Sequence, residues 1–340
     1  MARIALDAMG GDFAPQATVA GALLALRELA PAHSIQLVGQ TAVIEQQLAE
    51  LLAGEYADLA PQRGRLEIIE APDTIGMTDN PGAAVRGKPH SSMVIGLKLQ
   101  TEGRSEAFVS AGNTGAQMAA SMVLLKLHPG LKRPAIATTF PTARQPVVVL
   151  DSGANVDCSA EELVQFARLG TVYAHDILGR EDPVVGLLSN GEEPEKGNTV
   201  VKEAHQLLQD ARINFQGNVE GRDIAAGASE RGPVDVVVCD GFVGNVLLKF
   251  YEGIAPVLIR MTTRAAGLDS GQAERSLKSL DYSEHGGAPL LGVRGVSIIS
   301  HGKSSPRAIK NAIKVAVQAV DARMNENIGQ RLGESASEAA

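Results

Sequence analysis

Short, almost uniformly apolar runs recur along this chain, and each stops abruptly at small polar residues. Arg3–Leu6, Ile35–Val38, Leu66–Ile69, Ala107–Val109, Ala135–Thr139, Val147–Leu150, Val184–Leu188, Val234–Cys239 and Val296–Ile299 read as strands. They do not alternate apolar with polar, so both of their faces expect cover, as in a mainly parallel sheet lying between helices. The segments between them carry helical spacing. Val19, Leu23 and Leu26 form one stripe within Pro15–Leu29; Val200, Ala204, Leu207 and Leu208 another within Thr199–Leu208. Ile309, Ile313, Val317 and Val320 do the same within Pro306–Val320, where Pro306 suits the first helical turn. Strand followed by helix, repeated, predicts an α/β fold with right-handed crossovers.

The ends of the apolar runs point to chemistry. FVSAGNTG at Phe108–Gly115, VVVLDSGANVD at Val147–Asp157, VVGLLSNGEE at Val184–Glu193 and VVVCDGFVGN at Val236–Asn245 each pass from strand into a small-residue turn, and LDAMGGD at Leu6–Asp12 is a fifth. In an open parallel sheet, ligands sit beyond the carboxyl ends of the strands. Small side chains there expose the backbone amides of the next helix N-terminus, which suit phosphate. None of these turns is GxGxxG or GxxxxGK[ST], which argues against a nucleotide cofactor.

Charge and composition remove other classes. A net charge of −8 and 3 % aromatic residues speak against nucleic-acid binding. Cys158 and Cys239 are too few for a disulfide framework and fit a reducing compartment. No signal peptide is read before the first run, and no unbroken run of eighteen apolar residues is found, so a cytoplasmic, soluble chain is expected. His90, His175, His205 and His301 lie far apart without metal-ligand spacing, and neither a metal nor any other cofactor is expected. No GxSxG elbow is present. Asp7, Asp12, Asp151 and Asp240 stand at turn positions where each is either a helix cap or a functional acid.

RGKPHSS at Arg86–Ser92 combines cations with hydroxyls, the mixture an anion pocket uses, and HGKSS at His301–Ser305 offers a second donor set; either is also compatible with a solvated turn. One α/β catalytic domain is expected over residues 1–330, with a helical protrusion at about 245–280 and a disordered tail at 331–340. In the protrusion, Leu258, Ile259 and Met261 interleave with Arg260, Arg264, Arg275 and Lys278, which suits a dimer contact, a carrier-protein contact or a lipid surface.

Taken together, these segments closely resemble the bacterial phosphate acyltransferase family (PlsX) from the first residues to about Val320. The matching strings are IALDAMGGDFAP at Ile4–Pro15, FVSAGNTGA at Phe108–Ala116, LDSGANVDC at Leu150–Cys158, GNVEGRDI at Gly217–Ile224, VVVCDGFVGNVLLK at Val236–Lys249, GGAPLLGVRG at Gly286–Gly295 and ISHGKS at Ile299–Ser304. The chain departs from the family pattern at Pro89 and His90 and at Ser189–Gly191, which bears on pocket shape more than on the reaction. The resemblance implies a homodimer with a phosphotransacetylase/isocitrate dehydrogenase-like fold. It implies a long-chain acyl group moved from acyl carrier protein to inorganic phosphate, in lipid and phospholipid biosynthesis. The acyl phosphate would pass to a membrane glycerol-3-phosphate acyltransferase, with peripheral membrane association.

On that reading the residues take expected roles. Lys88, with Gly10, Gly11, Ser91, Ser92, Ser110, Asn113 and Thr114, holds phosphate. Asn190, Asn218 or Asn245 donates to the thioester oxyanion, and Lys196 or His301 eases departure of the thiolate. Arg260, Arg264, Arg275 and Lys278 dock the acidic carrier protein. The rival readings are a phosphotransacetylase using a short-chain acyl-CoA, and a non-catalytic binding protein.

Overall fold

The computed structural model describes residues 1–266 and 286–337. These form two compact units, one of Met1–Pro129 with the returning segment up to Gly329, the other of the chain between and the C-terminal end.

In the first unit β1 (Arg3–Asp7), β2 (Ser34–Gly39), β3 (Leu66–Glu70) and β4 (Ala107–Ser110) are parallel and lie in the order β3-β2-β1-β4. The returning strand Val296–Ile299 adds in parallel beside β4, and Ala288–Leu291 pairs antiparallel with it. The order reverses direction between β1 and β4, which opens a crevice beyond their carboxyl ends. Helices α1 (Gln16–Glu28), α2 (Thr41–Ala53), α3 (Pro81–Gly87), α4 (Ser92–Thr101) and α5 (Thr114–Leu124) belong to this unit. Gly21 of α1 lies so near helix Pro306–Asp321 that a Cβ there would stand 2.5 Å from the Ile309 Cβ. Ser305 caps that helix and Pro306 opens it, as the sequence predicts.

The second unit carries β5 (Ala135–Ile136), β6 (Thr138–Phe140), β7 (Val147–Leu150), β8 (Val185–Leu188), β9 (Phe215–Val219), the short hairpin β10 (Ala228–Ser229) and β11 (Gly232–Pro233), and β12 (Val236–Val238). Its main sheet runs β6-β7-β12-β8-β9, parallel except for the β6 edge. Helices α6 (Ala160–Asp176), α7 (Thr199–Gln209), α8 (Gly221–Ala226) and α9 (Gly241–Ala266) accompany it. Ser159 and Glu162 make a full capping box at the start of α6.

The fold is therefore α/β with mostly parallel strands, distributed over more than one sheet. Three local expectations change. The run Ala135–Thr139 breaks at Ala137, because Asp151 Oδ1 takes the Ile136 amide and the Ser152 amide takes its carbonyl. Residues 331–337, expected to be disordered, continue a helix that spans Met324–Ser337, which the buried Met324 and Ile328 anchor. Finally, Gly241–Arg264 is long and apolar enough to cross a membrane by length and composition, with mean hydropathy 1.4 and only 17 % of that stretch buried. Counting unbroken apolar runs misses it, because Lys249 and Glu252 interrupt the sequence; they pair with each other at 2.8 Å.

Candidate functional site

The loop after β1 is built around a buried carboxylate. Asp7 is 2 % exposed, and its side chain accepts from Ser110 Oγ at 2.7 Å and from the Met9 amide at 3.2 Å. Burial pushes its pKa up, against the hydrogen bonds from Ser92, Ser110 and the loop amides. A Cβ on Gly10 would come 2.5 Å from Asp7 Oδ2 and 2.9 Å from the Gly112 amide, so only glycine fits where these two loops meet. Gly11 has φ +104°, and next to it the Asp12 amide donates to the Gly302 carbonyl at 2.7 Å. Three glycine-bearing turns, at Gly10–Asp12, Ala111–Asn113 and His301–Ser304, are thus tied together beyond the strand ends.

Asn113 locks a fourth segment to them. Its Oδ1 accepts from the Ala116 amide at 3.0 Å and caps α5, while Nδ2 donates to the carbonyls of Met77 at 3.1 Å and Asp79 at 3.0 Å. Lys88 stands on the same turn: Nζ donates to Asp79 Oδ2 at 2.7 Å and to the Thr74 carbonyl at 2.8 Å. That contact holds the Asp79 carboxyl below its ordinary range. Thr114 is exposed at the first position of α5, where the helix dipole and amide groups lacking intrahelical acceptors favour an anion.

The structure revises how several of these residues act. Ser91 is fully buried and caps α4 through the Val94 amide. Ser92 is buried and bonded to Asp7, and Ser110 gives its proton to Asp7 while accepting from the Gly112 amide at 2.9 Å. These hydroxyls are spent inside the loops and shape them from beneath, whereas Thr114 is exposed. His301 is exposed, with Nδ1 accepting from the Lys303 amide at 3.1 Å. The sequence reading overlooked the turn Thr74–Asp79; Asn80 followed by Pro81, a cap and first-turn proline, marks the helix start just after it.

The second unit repeats the theme. Asp151, fully buried at the end of β7, accepts from the amides of Ile136, Ala154 and Asn155 and from Asn155 Nδ2, and burial again raises its pKa. Asp240 caps α9 through the Val243 amide at 2.8 Å. Asn190 Oδ1 accepts from the Gly197 amide at 2.9 Å, and Asn198 caps α7. Asn245 and Lys196 are exposed. Asn218 differs from expectation. It is 1 % exposed, its Nδ2 donates to the Glu193 carbonyl at 2.8 Å and its Oδ1 meets His205 Nδ1 at 2.9 Å, so both ends of its amide are engaged in bracing the 190–197 loop.

Near this loop lies a cavity of about 710 Å³, and Lys196 borders a more open polar one with Glu192, Glu193, Arg222 and Arg231. Burial pushes the Cys158 thiol up to about 12 and Cys239 upward too, which leaves neither available as a thiolate nucleophile. Arg260 and Arg264 are exposed on α9; Arg275 and Lys278 lie outside the described residues. Among the described residues, no three His, Cys, Asp or Glu side chains gather as a metal site.

Buried aspartates under glycine turns at parallel-strand ends place the chain in an α/β class with solved members. A phosphotransacetylase from Streptococcus pyogenes shares the fold at TM-score 0.59 and 18 % identity, and the EutD phosphotransacetylase from Staphylococcus aureus at 0.58 and 16 %, each comparison covering 94 % of both chains. In sequence, the model of the fatty acid synthesis protein family matches residues 2–327. Curated proteins named phosphate acyltransferase are 48 % identical over 329 residues in Heliobacterium modesticaldum and 47 % over 330 residues in Desulforamulus reducens, each covering 94 % of both chains. The chain belongs to this phosphate acyltransferase family.

Proposed function

We propose that this protein transfers a long-chain fatty acyl group from the thioester of acyl carrier protein to inorganic phosphate. A phosphate oxygen attacks the thioester carbonyl carbon, the C–S bond breaks, and the products are acyl phosphate and the carrier thiol, which takes up a proton. The observation that carries this reading is the junction of the Gly10–Asp12, Ala111–Asn113 and Gly302 turns beside the α5 N-terminus, with Lys88 on the Asn113-bound segment. Family membership supports phosphate as the acceptor.

A thioester is already activated, so positioning and charge control are the main requirements. Lys88 and the amides at Gly11, Thr114 and Gly115 receive phosphate. Asn190 and Asn245 remain as donors to the oxyanion, and Lys196 or His301 stabilises the departing thiolate. The raised thiol pKa values support direct attack by phosphate over a cysteine-bound intermediate.

The reading extends to the surroundings. The exposed apolar face of α9, with Arg260 and Arg264, serves a homodimer, the carrier protein or the inner membrane surface, where a glycerol-3-phosphate acyltransferase consumes the product. The test is donor competition in the presence of phosphate, with hydroxylamine trapping of acyl phosphate. Hydroxamate from palmitoyl-carrier protein supports the reading, whereas hydroxamate from acetyl coenzyme A alone would make the protein a short-chain phosphotransacetylase.

A further inference from the structure

The second unit holds a cavity of about 710 Å³ at the carboxyl ends of β7, β8 and β12, and its chemistry is lopsided. Leu163, Leu187, Val200, Val201, Val243 and Leu247 supply its apolar wall, and among the described residues no aromatic side chain lines it. Besides two cysteines, the ionisable groups that the described residues bring to the lining are the carboxylates of Asp157 and Asp240, with no lysine or arginine among them. A phosphate, a nucleotide or a free carboxylate inside would therefore lose water without gaining a countercharge, next to groups of its own sign. A flexible uncharged hydrocarbon meets none of these costs, and the volume falls within the range of about 300–1,000 Å³ usual for ligand pockets.

The construction of α9 adds direction. Val243 and Leu247, one turn apart, face the cavity, while Phe242, Val246 and Phe250 form a separate stripe exposed at 61 %, 52 % and 68 %. The helix thus spends one apolar stripe on the cavity and leaves another outside. Asn190 and Asn198, also in the lining, offer carboxamides at the polar part of the wall, which suits the carbonyl end of a chain.

We infer that this cavity receives the alkyl chain of the acyl donor and sets which chain lengths are used. The inference rests on the transferase reading above but names a site of its own. The β8–α7 wall and the first turns of α9 then act as a ruler. Each CH2 that finds apolar contact contributes about a fourfold gain, and the gain stops where the cavity ends.

Two substitutions test it from opposite walls: Val200→Phe on α7 and Val243→Phe on α9, both at positions that are not fully buried. In each, the ratio of kcat/KM for C16 over C8 acyl-carrier protein is measured, and binding of uncharged hexadecanamide is followed by calorimetry. Loss of contact for two or more CH2 groups predicts at least about a tenfold fall in the ratio and weaker hexadecanamide binding. Val200→Ala, which enlarges the same wall, shifts preference toward longer chains and keeps the test decisive where phenylalanine disrupts folding. Unchanged chain preference and unchanged hexadecanamide binding in all folded variants would overturn the inference while leaving transfer to phosphate intact. Wild-type protein that binds hexadecanamide through these residues yet makes no acyl phosphate would instead uphold the cavity and remove the transferase reading. Wild-type protein that neither binds hexadecanamide nor prefers one chain length overturns the inference.

Discussion

Lys88 Nζ and Asp79 Oδ2 meet at 2.7 Å, and the Thr74 carbonyl receives a second Lys88 proton at 2.8 Å. The ammonium group is thus fixed in direction by the turn that Asn113 binds. Replacing Lys88 with Met removes the charge to which the proposed function assigns phosphate, while keeping most of the stem. The KM for phosphate is expected to rise at least about tenfold, equivalent to about 1.4 kcal/mol. Steady-state kinetics over a phosphate series check this, and an unchanged phosphate KM would remove Lys88 from the site.

Asp7 makes a prediction about pH. Its folded pKa is raised by burial, whereas an aspartate in the unfolded chain ionises near about pH 3.9. Between these values the folded state keeps a proton that the unfolded state has lost. The stability from this group is therefore complete below about pH 3.9 and is lost as pH rises through the folded pKa. Asp7→Asn cannot ionise, so its urea midpoint should depend less steeply on pH above about pH 4 than that of the wild type. Parallel curves for the two proteins would show that Asp7 does not titrate differently on folding.

Glu28 gives the opposite sign. Lys310 and Lys314 hold it at 2.7 and 2.6 Å, and these hydrogen bonds lower its pKa to about 2. Its contribution is present above the ordinary carboxylate range and lost as pH falls through about 2. The Glu28 side chain is 40 % exposed and solvent screens it, so Glu28→Gln is expected to cost no more than about 1 kcal/mol at neutral pH. The loss should shrink in high salt and disappear in strong acid, as followed by thermal unfolding.

Gly21 is where α1 and helix Pro306–Asp321 come closest, and an added methyl group would meet Ile309 at 2.5 Å. Gly21→Ala would gain helix propensity, but overpacking of this kind costs about 1–3 kcal/mol. A net loss of stability in urea unfolding is expected. A net gain would mean that the helices separate easily.

The outer stripe of α9 carries Phe242, Val246 and Phe250 at successive turns. Large aromatics left open at such spacing mark a contact surface. Phe242→Ser combined with Phe250→Ser should lower either the particle mass in light scattering or the fraction sedimenting with anionic vesicles. If neither changes, this stripe is not the contact surface.

Much of this architecture was legible because uniform apolar runs have few alternatives to a covered parallel strand. Arg3–Leu6, Val147–Leu150 and Val296–Ile299 were all found that way, and the glycine turns marked the strand ends where Gly10 and Gly112 meet. Phe215–Val219 was not read as a strand, because Gln216, Gly217 and Asn218 interrupt it and Gly217 adopts φ +109° beside a register shift. Side-chain direction was the larger gap. A serine or asparagine beside a glycine turn has the same letter whether it faces a ligand or braces the loop. Only three-dimensional partners separate Thr114, which is exposed, from Ser91, Ser110 and Asn218, which are spent inside.

The central claim is transfer to phosphate. Purified protein is mixed with palmitoyl-carrier protein, and free carrier thiol is measured with and without inorganic phosphate. The account predicts thiol release that requires phosphate and matches acyl phosphate mole for mole. Thiol release at the same rate without phosphate, or none in its presence, would contradict it.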